Sequence, residues 1–147
     1  GDTLVARITP CLENGKTAFV DFLRNGQVGW GSTEYIVMHP KPLLPEEFAY
    51  CLARSDSFRE FAIQSMTGTS GRQRVQADSL AHFKLPRIPE QVAEAFGRTI
   101  KPLFVRSSRG VHESRNLAAL RDTLLPKLIS GELRVKDAEN FLRRASV

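Results

Sequence analysis

The sequence predicts an α+β protein, in which a small mixed domain of strands and helices is followed by a long protruding α-helix of the coiled-coil type. Short apolar runs separated by turn residues occupy residues 1–40, while apolar side chains recur at helical spacing in residues 45–66 and again after residue 90. The 147 residues are 41% hydrophobic, which is sufficient for a folded core and is unlike a disordered chain.

The strand predictions depend on apolar runs bounded by turns. Residues 4–8 and 17–23 form two such runs, and the Asn-Gly pair at 14–15 supplies a turn between them. A second turn is expected at the Asn-Gly pair at 25–26. Residues 34–38 form a third run, whose β-branched and aromatic side chains favour a strand.

Residues 45–66 are predicted to be helical, and a strand is predicted at residues 80–85. Pro45 and the two acids after it are typical of a helix start, and helical spacing continues to Met66 in one helix or two short ones. Ser57 and Glu60 stand in capping-box register. Residues 80–85 alternate like a strand, which the prolines that follow close off.

A helical segment is expected from Glu90 to Ser130, where Gly131 is suited to end it. Pro102 predicts a kink or a break between a short helix and a long one. Four leucines recur on one face of the long helix: Leu117, Leu120, Leu124 and Leu128. Since the chain offers little else for this stripe to pack on, the leucines are predicted to contact partner helices.

Composition favours a polyanionic partner, because 21 Lys and Arg residues oppose 16 Asp and Glu residues and give a net charge of +5.

Cys11 and Cys51 belong to no metal or redox motif, so both are expected to be reduced, buried cysteines of a cytoplasmic protein. No apolar run approaches the roughly 20 residues that span a bilayer, so no membrane partner is predicted. The chain begins at Gly1 inside a strand-like pattern and is expected to be a fragment.

Motifs of the relevant enzyme classes are missing from the sequence. A methyltransferase needs a glycine-rich cofactor loop and an Asn/Asp-Pro-Pro-aromatic motif, yet the chain contains no Pro-Pro pair. It has no P-loop, its aspartates are scattered, and His39, His82 and His112 show no metal-ligand spacing. A non-catalytic protein without a cofactor or a bound metal is therefore expected.

The stretch "TGTSGRQRV" at residues 67–75 is the first candidate binding site. Its glycines allow a close approach of the backbone to a phosphate, while hydroxyls donate to the phosphate oxygens and arginine or glutamine reaches base edges. The candidate DNA-binding residues in it are Thr69, Ser70, Arg72, Gln73 and Arg74. The alternative is a structural turn in which one arginine pairs with Asp78.

A second candidate site lies in "RITPCLENGK", where Arg7, Asn14 and Lys16 stand at the end of a strand and in the turn after it. These three residues are predicted to position or read DNA, the alternative being a surface hairpin. Trp30, between two glycines, either stacks on a base or sugar or is a core residue with its N–H satisfied.

Three stretches resemble one family: "GDTLVARITPCLENGK", "TGTSGRQRV" before "FKLPRIPEQ", and "LAALRDTLLPKLISGELRV". In order and spacing they are similar to the specificity subunit of type I restriction-modification systems. The resemblance covers nearly the whole chain, and the "LISGEL" ending is its most specific part. It implies one target recognition domain, incomplete at its N-terminus, in residues 1–86, a conserved helical spacer in 87–135 and a tail in 136–147.

The same resemblance implies the function and the partners. Such a subunit reads double-stranded DNA at a split target site and directs the methyltransferase subunit, and through it the restriction subunit, to that site. Its long helix pairs with a second recognition half or with a second copy. Two alternatives stay open, namely a truncated helical adaptor that binds the methyltransferase without reading DNA, and a binder of RNA or single-stranded nucleic acid.

Overall fold

A computed structural model describes residues 1–23 and 26–134 of the chain and confirms the α+β class. Three short strands form one antiparallel sheet: β1 at Thr3–Ala6, β2 at Thr17–Phe19 and β3 at Tyr35–Met38. The sheet order is β2-β1-β3, so β1 is the central strand. Each of the three runs predicted from the sequence thus overlaps a strand, although the strands are shorter than the runs.

Four helices complete the described fold: α1 at Glu47–Arg54, α2 at Asp56–Gln64, α3 at Ala77–Leu80 and α4 at Glu90–Ile129. The segment before Met66 is therefore two helices. Ser55 separates them, since its extended backbone ends α1 and its side chain accepts a hydrogen bond from the backbone N–H of Phe58. The capping box expected at Ser57 is wrong, because Ser57 lies inside α2.

The hydrophobic core lies between the sheet and the first two helices. Its buried members include Val5 of β1, Phe58 and Ala62 of α2, and Val75, which is completely buried. Phe83 packs edge-on against Phe58 with ring centroids 5.1 Å apart. Because Val75 anchors the end of the 67–75 loop in this core, the loop has a fixed base.

The strand predicted at residues 80–85 is wrong. This part of the chain contains the end of α3 followed by a turn, and none of the described strands pairs with it. Leu80 is buried at the end of α3, and Phe83 turns inward against Phe58 and Phe61. The apparent alternation therefore reflects two separate core contacts.

Helix α4 runs continuously over 40 residues, so the break expected at Pro102 is wrong. Proline removes only its own N–H, and the carbonyl of Arg98 that this N–H would have bonded belongs to an exposed residue and can bond to water instead. The predicted end of the helix is confirmed. Gly131 follows it with φ of 75° and donates its N–H to the carbonyl of Leu128.

Backbone contacts group the chain into two units, Gly1–Phe104 and Val105–Val147. In the first unit, the start of α4 packs through buried Ala93 and Gly97, and the Phe104 ring lies edge-on to Phe19, with centroids 5.0 Å apart. The functional limits at 1–86, 87–135 and 136–147 stay a prediction, and the tail lies outside the described residues. The turn expected at 25–26 also falls partly outside them.

Both cysteines are free, and both are half-buried, so they are less buried than the sequence led us to expect. Partial burial, with a smaller contribution from Glu47, raises the pKa of the Cys51 thiol above its ordinary value. No helix in the described part of the chain is long and apolar enough to cross a membrane.

Candidate DNA-binding surface

The 67–74 loop is a closed hairpin-like turn. Thr67 and Arg74 exchange two backbone hydrogen bonds, of 3.0 and 2.9 Å, and the N–H of Arg72 donates to the carbonyl of Thr69 at 3.0 Å. Gly68 and Gly71 have φ of 119° and 77°, which explains why glycine stands at both positions. The loop thus holds a fixed backbone shape and leaves its tip, residues 68–72, exposed.

The structure brings this loop together with the end of β1, which the sequence could not show. The carbonyl of Gln73 accepts hydrogen bonds from the backbone N–H and the side-chain hydroxyl of Thr9, at 3.0 and 3.2 Å. The N–H of Val75 donates to the carbonyl of Arg7 at 2.9 Å. The side chain of Arg7 returns hydrogen bonds to the carbonyl of Val75 and to Oε1 of Gln76. The two candidate motifs therefore form one surface.

Glu34, which the sequence reasoning missed, joins three parts of this surface. Its carboxylate accepts hydrogen bonds from Nε and Nη2 of Arg74, at 2.9 and 2.8 Å, in a bidentate ion pair. Its backbone carbonyl accepts from the N–H of Arg7 at 3.1 Å. The hydrogen bonds from Arg74 hold the pKa of Glu34 below its ordinary value.

Arg74 therefore pairs with Glu34 and not with Asp78, the partner that the structural-turn alternative supposed. Its remaining Nη1 donates to the carbonyl of Arg72 at 3.3 Å. The hydrogen bond to Glu34 raises the pKa of Arg74, so this guanidinium stays charged. No sequence signal marks the pair, because its partners are 40 residues apart and both belong to irregular segments.

Arg72 differs from its two neighbouring arginines. It is exposed at the loop tip, and in the described part of the chain its guanidinium meets no acceptor or acidic partner. The hydroxyl residues beside it, Thr69 and Ser70, are exposed too, whereas Gln73 is half-buried. The tip is thus a cluster of hydrogen-bond donors with one unpaired positive charge.

The turn after β1 presents Asn14 and Lys16 to solvent. Its base is fixed by the buried side chain of Leu12 and by Arg54 of α1, whose guanidinium donates to the carbonyl of Gly15 at 2.7 Å. The structure therefore describes a supported turn that carries two exposed polar side chains.

Trp30 is 97% exposed, so the core alternative is wrong for this residue. It lies in the segment between β2 and β3, four residues before Glu34. The flanking glycines pack closely, since a Cβ at Gly31 would fall 1.2 Å from the hydroxyl of Tyr35 and a Cβ at Gly29 would fall 3.2 Å from Leu23.

The leucine stripe of α4 lies in the second unit and faces solvent. Its members expose large fractions of their surface: Leu117 59%, Leu120 56%, Leu124 41% and Leu128 40%. Such exposure of four leucines on one helix face is unusual for a monomer and typical of an interaction surface.

The described residues contain no group of three or more histidine, cysteine, aspartate or glutamate side chains that could hold a metal ion. His39 contacts Asp2 at 2.8 Å, and His82 contacts the backbone carbonyl of Asp78 at the same distance. These histidines have local structural partners.

Comparison with known proteins identifies two relatives, both from Escherichia coli. The chain is 30% identical to the type I restriction enzyme EcoEI specificity subunit over 148 aligned positions, which cover 97% of this chain and 25% of that subunit. It is 34% identical to the type I restriction enzyme EcoAI specificity subunit over 95 positions, which cover 64% of this chain and 16% of that subunit. No protein-family model matches the chain, and no solved structure matches it significantly.

The chain is therefore related to subunits of type I restriction enzymes. In both relatives the subunit is the specificity subunit, which confirms the resemblance that the sequence motifs indicated. The chain spans a quarter or less of the length of these relatives.

Proposed function

We propose that this chain is a sequence-reading part of a type I specificity subunit, which directs methyltransferase and restriction subunits to a split site in double-stranded DNA. The observation that carries the proposal is the similarity to the EcoEI specificity subunit over 97% of the chain. The exposed arginine loop supports it, because a fixed loop rich in donors suits contact with phosphates and bases. In this role the chain is non-catalytic and acts in the cytoplasm.

The DNA contacts are divided between two kinds of residue. Thr69, Ser70 and Arg72 at the loop tip contact phosphates directly, and Gln73 lies beside them. The main role of Arg7 and Arg74 is to fix the loop through their internal hydrogen bonds. Guanidinium N–H groups that these bonds do not use contact the DNA. Asn14 and Lys16 add contacts from the turn after β1.

The leucine stripe of α4 binds partner helices in the same proposal. A second recognition half or a second copy of the chain, together with the methyltransferase subunit, covers the leucines. Their burial supplies the driving force, since each fully buried leucine contributes roughly 1.5–3 kcal/mol.

The DNA contact is tested by replacing Arg72 with alanine and measuring affinity for a mixed-sequence duplex over a range of salt concentrations. The full chain is used together with its methyltransferase subunit. Affinity should fall, and the slope of log affinity against log salt should flatten by about 0.9 for one lost phosphate contact. Thermal stability should not change, because the guanidinium of Arg72 has no partner among the described residues.

Arg109→Ala is the matched control, as it removes an exposed arginine of α4 in the second unit. It should leave both the affinity and the salt slope as they are. Equal slopes for Arg72→Ala and the unsubstituted chain would remove the loop tip from the DNA contact.

A further inference from the structure

The exposed indole of Trp30 is a feature that the arginine loop does not account for. A tryptophan 97% open to solvent leaves a large apolar ring without a partner in the described chain. Tryptophan is also the residue type whose burial most often dominates binding interfaces. Burial of this ring by a binding partner would therefore be energetically favourable.

The glycines on either side of Trp30 lie close to neighbouring side chains, while the Trp30 ring is open to solvent. Gly31 lies so close to the Tyr35 side chain that any larger residue would collide with its hydroxyl, and Gly29 lies close to Leu23. The hydroxyl of Ser32 accepts a hydrogen bond from the N–H of Glu34 at 3.1 Å. These contacts are local, so Trp30 is presented from an exposed segment whose fixed end is Glu34, paired with Arg74.

The Trp30 segment and the arginine loop share an anchor. Glu34 ends the segment, and its carboxylate is held by Arg74, two residues from the unpaired guanidinium of Arg72. Residues 26–33 and residues 67–74 contain no acidic side chain that would repel a phosphate. The one carboxylate between them, Glu34, is paired with Arg74.

We infer that Trp30 packs its indole against a base of the DNA that the arginine loop holds by its phosphates. This inference rests on the proposed function and adds an aromatic contact to it. A planar apolar ring beside unpaired donors suits a DNA duplex, in which an apolar side chain can insert between base pairs as they unstack, next to the charged phosphates. A protein partner would have to place carboxylates or carbonyls opposite these donors, whereas DNA offers phosphate acceptors along its whole length.

The test uses the fact that Trp30 is the one tryptophan of the chain, so intrinsic tryptophan emission reports this residue alone. The full chain is titrated with a mixed-sequence duplex at low salt while tryptophan emission is recorded, and a parallel titration follows the anisotropy of the labelled duplex. Emission should be quenched in step with the rise in anisotropy. Trp30→Ala should weaken binding by about tenfold, and Trp30→Phe should restore most of the affinity.

Phe22→Ala is the matched control, because Phe22 is 66% exposed and lies outside residues 26–34. Its affinity should equal that of the unsubstituted chain. Circular dichroism should show the same unfolding temperature for every variant, since neither ring is buried.

Three outcomes would overturn the inference, and they differ from one another. Binding without a change in emission, with Trp30→Ala as tight as the parent, removes Trp30 from the DNA but leaves the proposed function standing. A Trp30→Ala chain that loses the methyltransferase subunit and keeps its DNA affinity assigns the ring to a protein partner. A complete absence of DNA binding in the anisotropy titration, both by the chain alone and by the chain together with its methyltransferase subunit, overturns this inference and the proposed function.

Discussion

At the scale of single residues, the three arginines at the loop, Arg7, Arg72 and Arg74, have different roles. Arg7 and Arg74 make hydrogen bonds that join β1, the loop and the segment before β3. Arg72 makes none with its guanidinium in the described chain and is free to meet a ligand. Arginine in a loop suggests DNA contact, yet two of these three arginines form hydrogen bonds that stabilise the fold.

The ion pair between Glu34 and Arg74 predicts a pH dependence of stability. Because hydrogen bonds from Arg74 lower the pKa of Glu34 from its ordinary value of 4.5, the pair stabilises the fold fully above that pH. The contribution is lost as the pH falls below 4.5 through the lowered pKa of the folded state. Glu34→Gln should therefore lower the unfolding temperature at neutral pH, and the difference from the parent should narrow in acid.

Glu60→Gln, at an exposed position of α2, is the control and should match the parent across the pH range. Thermal unfolding followed by circular dichroism measures all three chains. A difference between Glu34→Gln and the parent that stays constant from neutral to acid pH would contradict the account.

The glycines of the loop predict unequal effects of substitution by alanine. At Gly68, φ of 119° lies outside the conformations that alanine readily adopts, and the new Cβ would meet the carbonyl oxygen of Arg72 at 3.3 Å. At Gly71, φ is 77° and the Cβ would point into open space. Gly68→Ala should lower the free energy of unfolding by roughly 1–3 kcal/mol, and Gly71→Ala by about 1 kcal/mol. Denaturant unfolding measures both, and an equal or reversed order would argue against the loop geometry described above.

The sequence indicated which residues form this surface, but it did not indicate which partners they contact. Hydroxyls, glycines and arginines in "TGTSGRQRV" indicated a loop of defined shape, and both of its glycines have positive φ. The partner of Arg74 could not be predicted, because Glu34 is brought to it by the pairing of β1 with β3 and the packing of Val75. The exposure of Trp30 also depends on tertiary structure, since a lone tryptophan is more often buried.

At the scale of elements, α4 changes its surroundings along its length. Its first turns belong to the first unit, where Phe96 lies edge-on to Phe48 and Phe104 lies edge-on to Tyr50. Its later turns belong to the second unit and carry the exposed leucines. The first part is stabilised by the domain, whereas the second part has an apolar face that suits a partner.

A charge placed in the leucine stripe should disrupt association and leave the fold intact. Leu124→Glu is expected to weaken assembly by about tenfold or more, because a leucine that would be buried in the interface is replaced by a charge. Ala119→Glu adds the same charge on the opposite face of the helix and should have little effect. Sedimentation velocity of the chain and retention of the methyltransferase subunit measure assembly. Normal assembly of Leu124→Glu would show that the stripe is not the interface.

Elements with a strong local pattern were predicted well, and elements that depend on distant contacts were not. The three strands and the start of α4 at Glu90 agree with the apolar runs and the helix-start signals. Residues 80–85 were misassigned because two inward-facing side chains in a turn imitate a strand alternation. The break at Pro102 was expected from proline alone, yet an exposed helix face tolerates the missing hydrogen bond.

At the scale of the whole molecule, the chain combines a supported loop surface in one unit with an exposed helical stripe in the other. This combination agrees with the relationship to type I specificity subunits, of which the chain matches a quarter or less. The proposal assigns DNA reading to the first unit and assembly to the second. A complex that lacks either function could not direct methylation to a new site.

The most direct test is genome-wide methylation mapping in cells that express this chain with the methyltransferase subunit of its own system, compared with cells that express the methyltransferase subunit alone. The account predicts a new methylated motif with two separated half-sites, palindromic if two copies pair through the leucine stripe. The same methylation pattern with and without the chain would contradict the claim that this chain reads DNA, and would favour a helical adaptor.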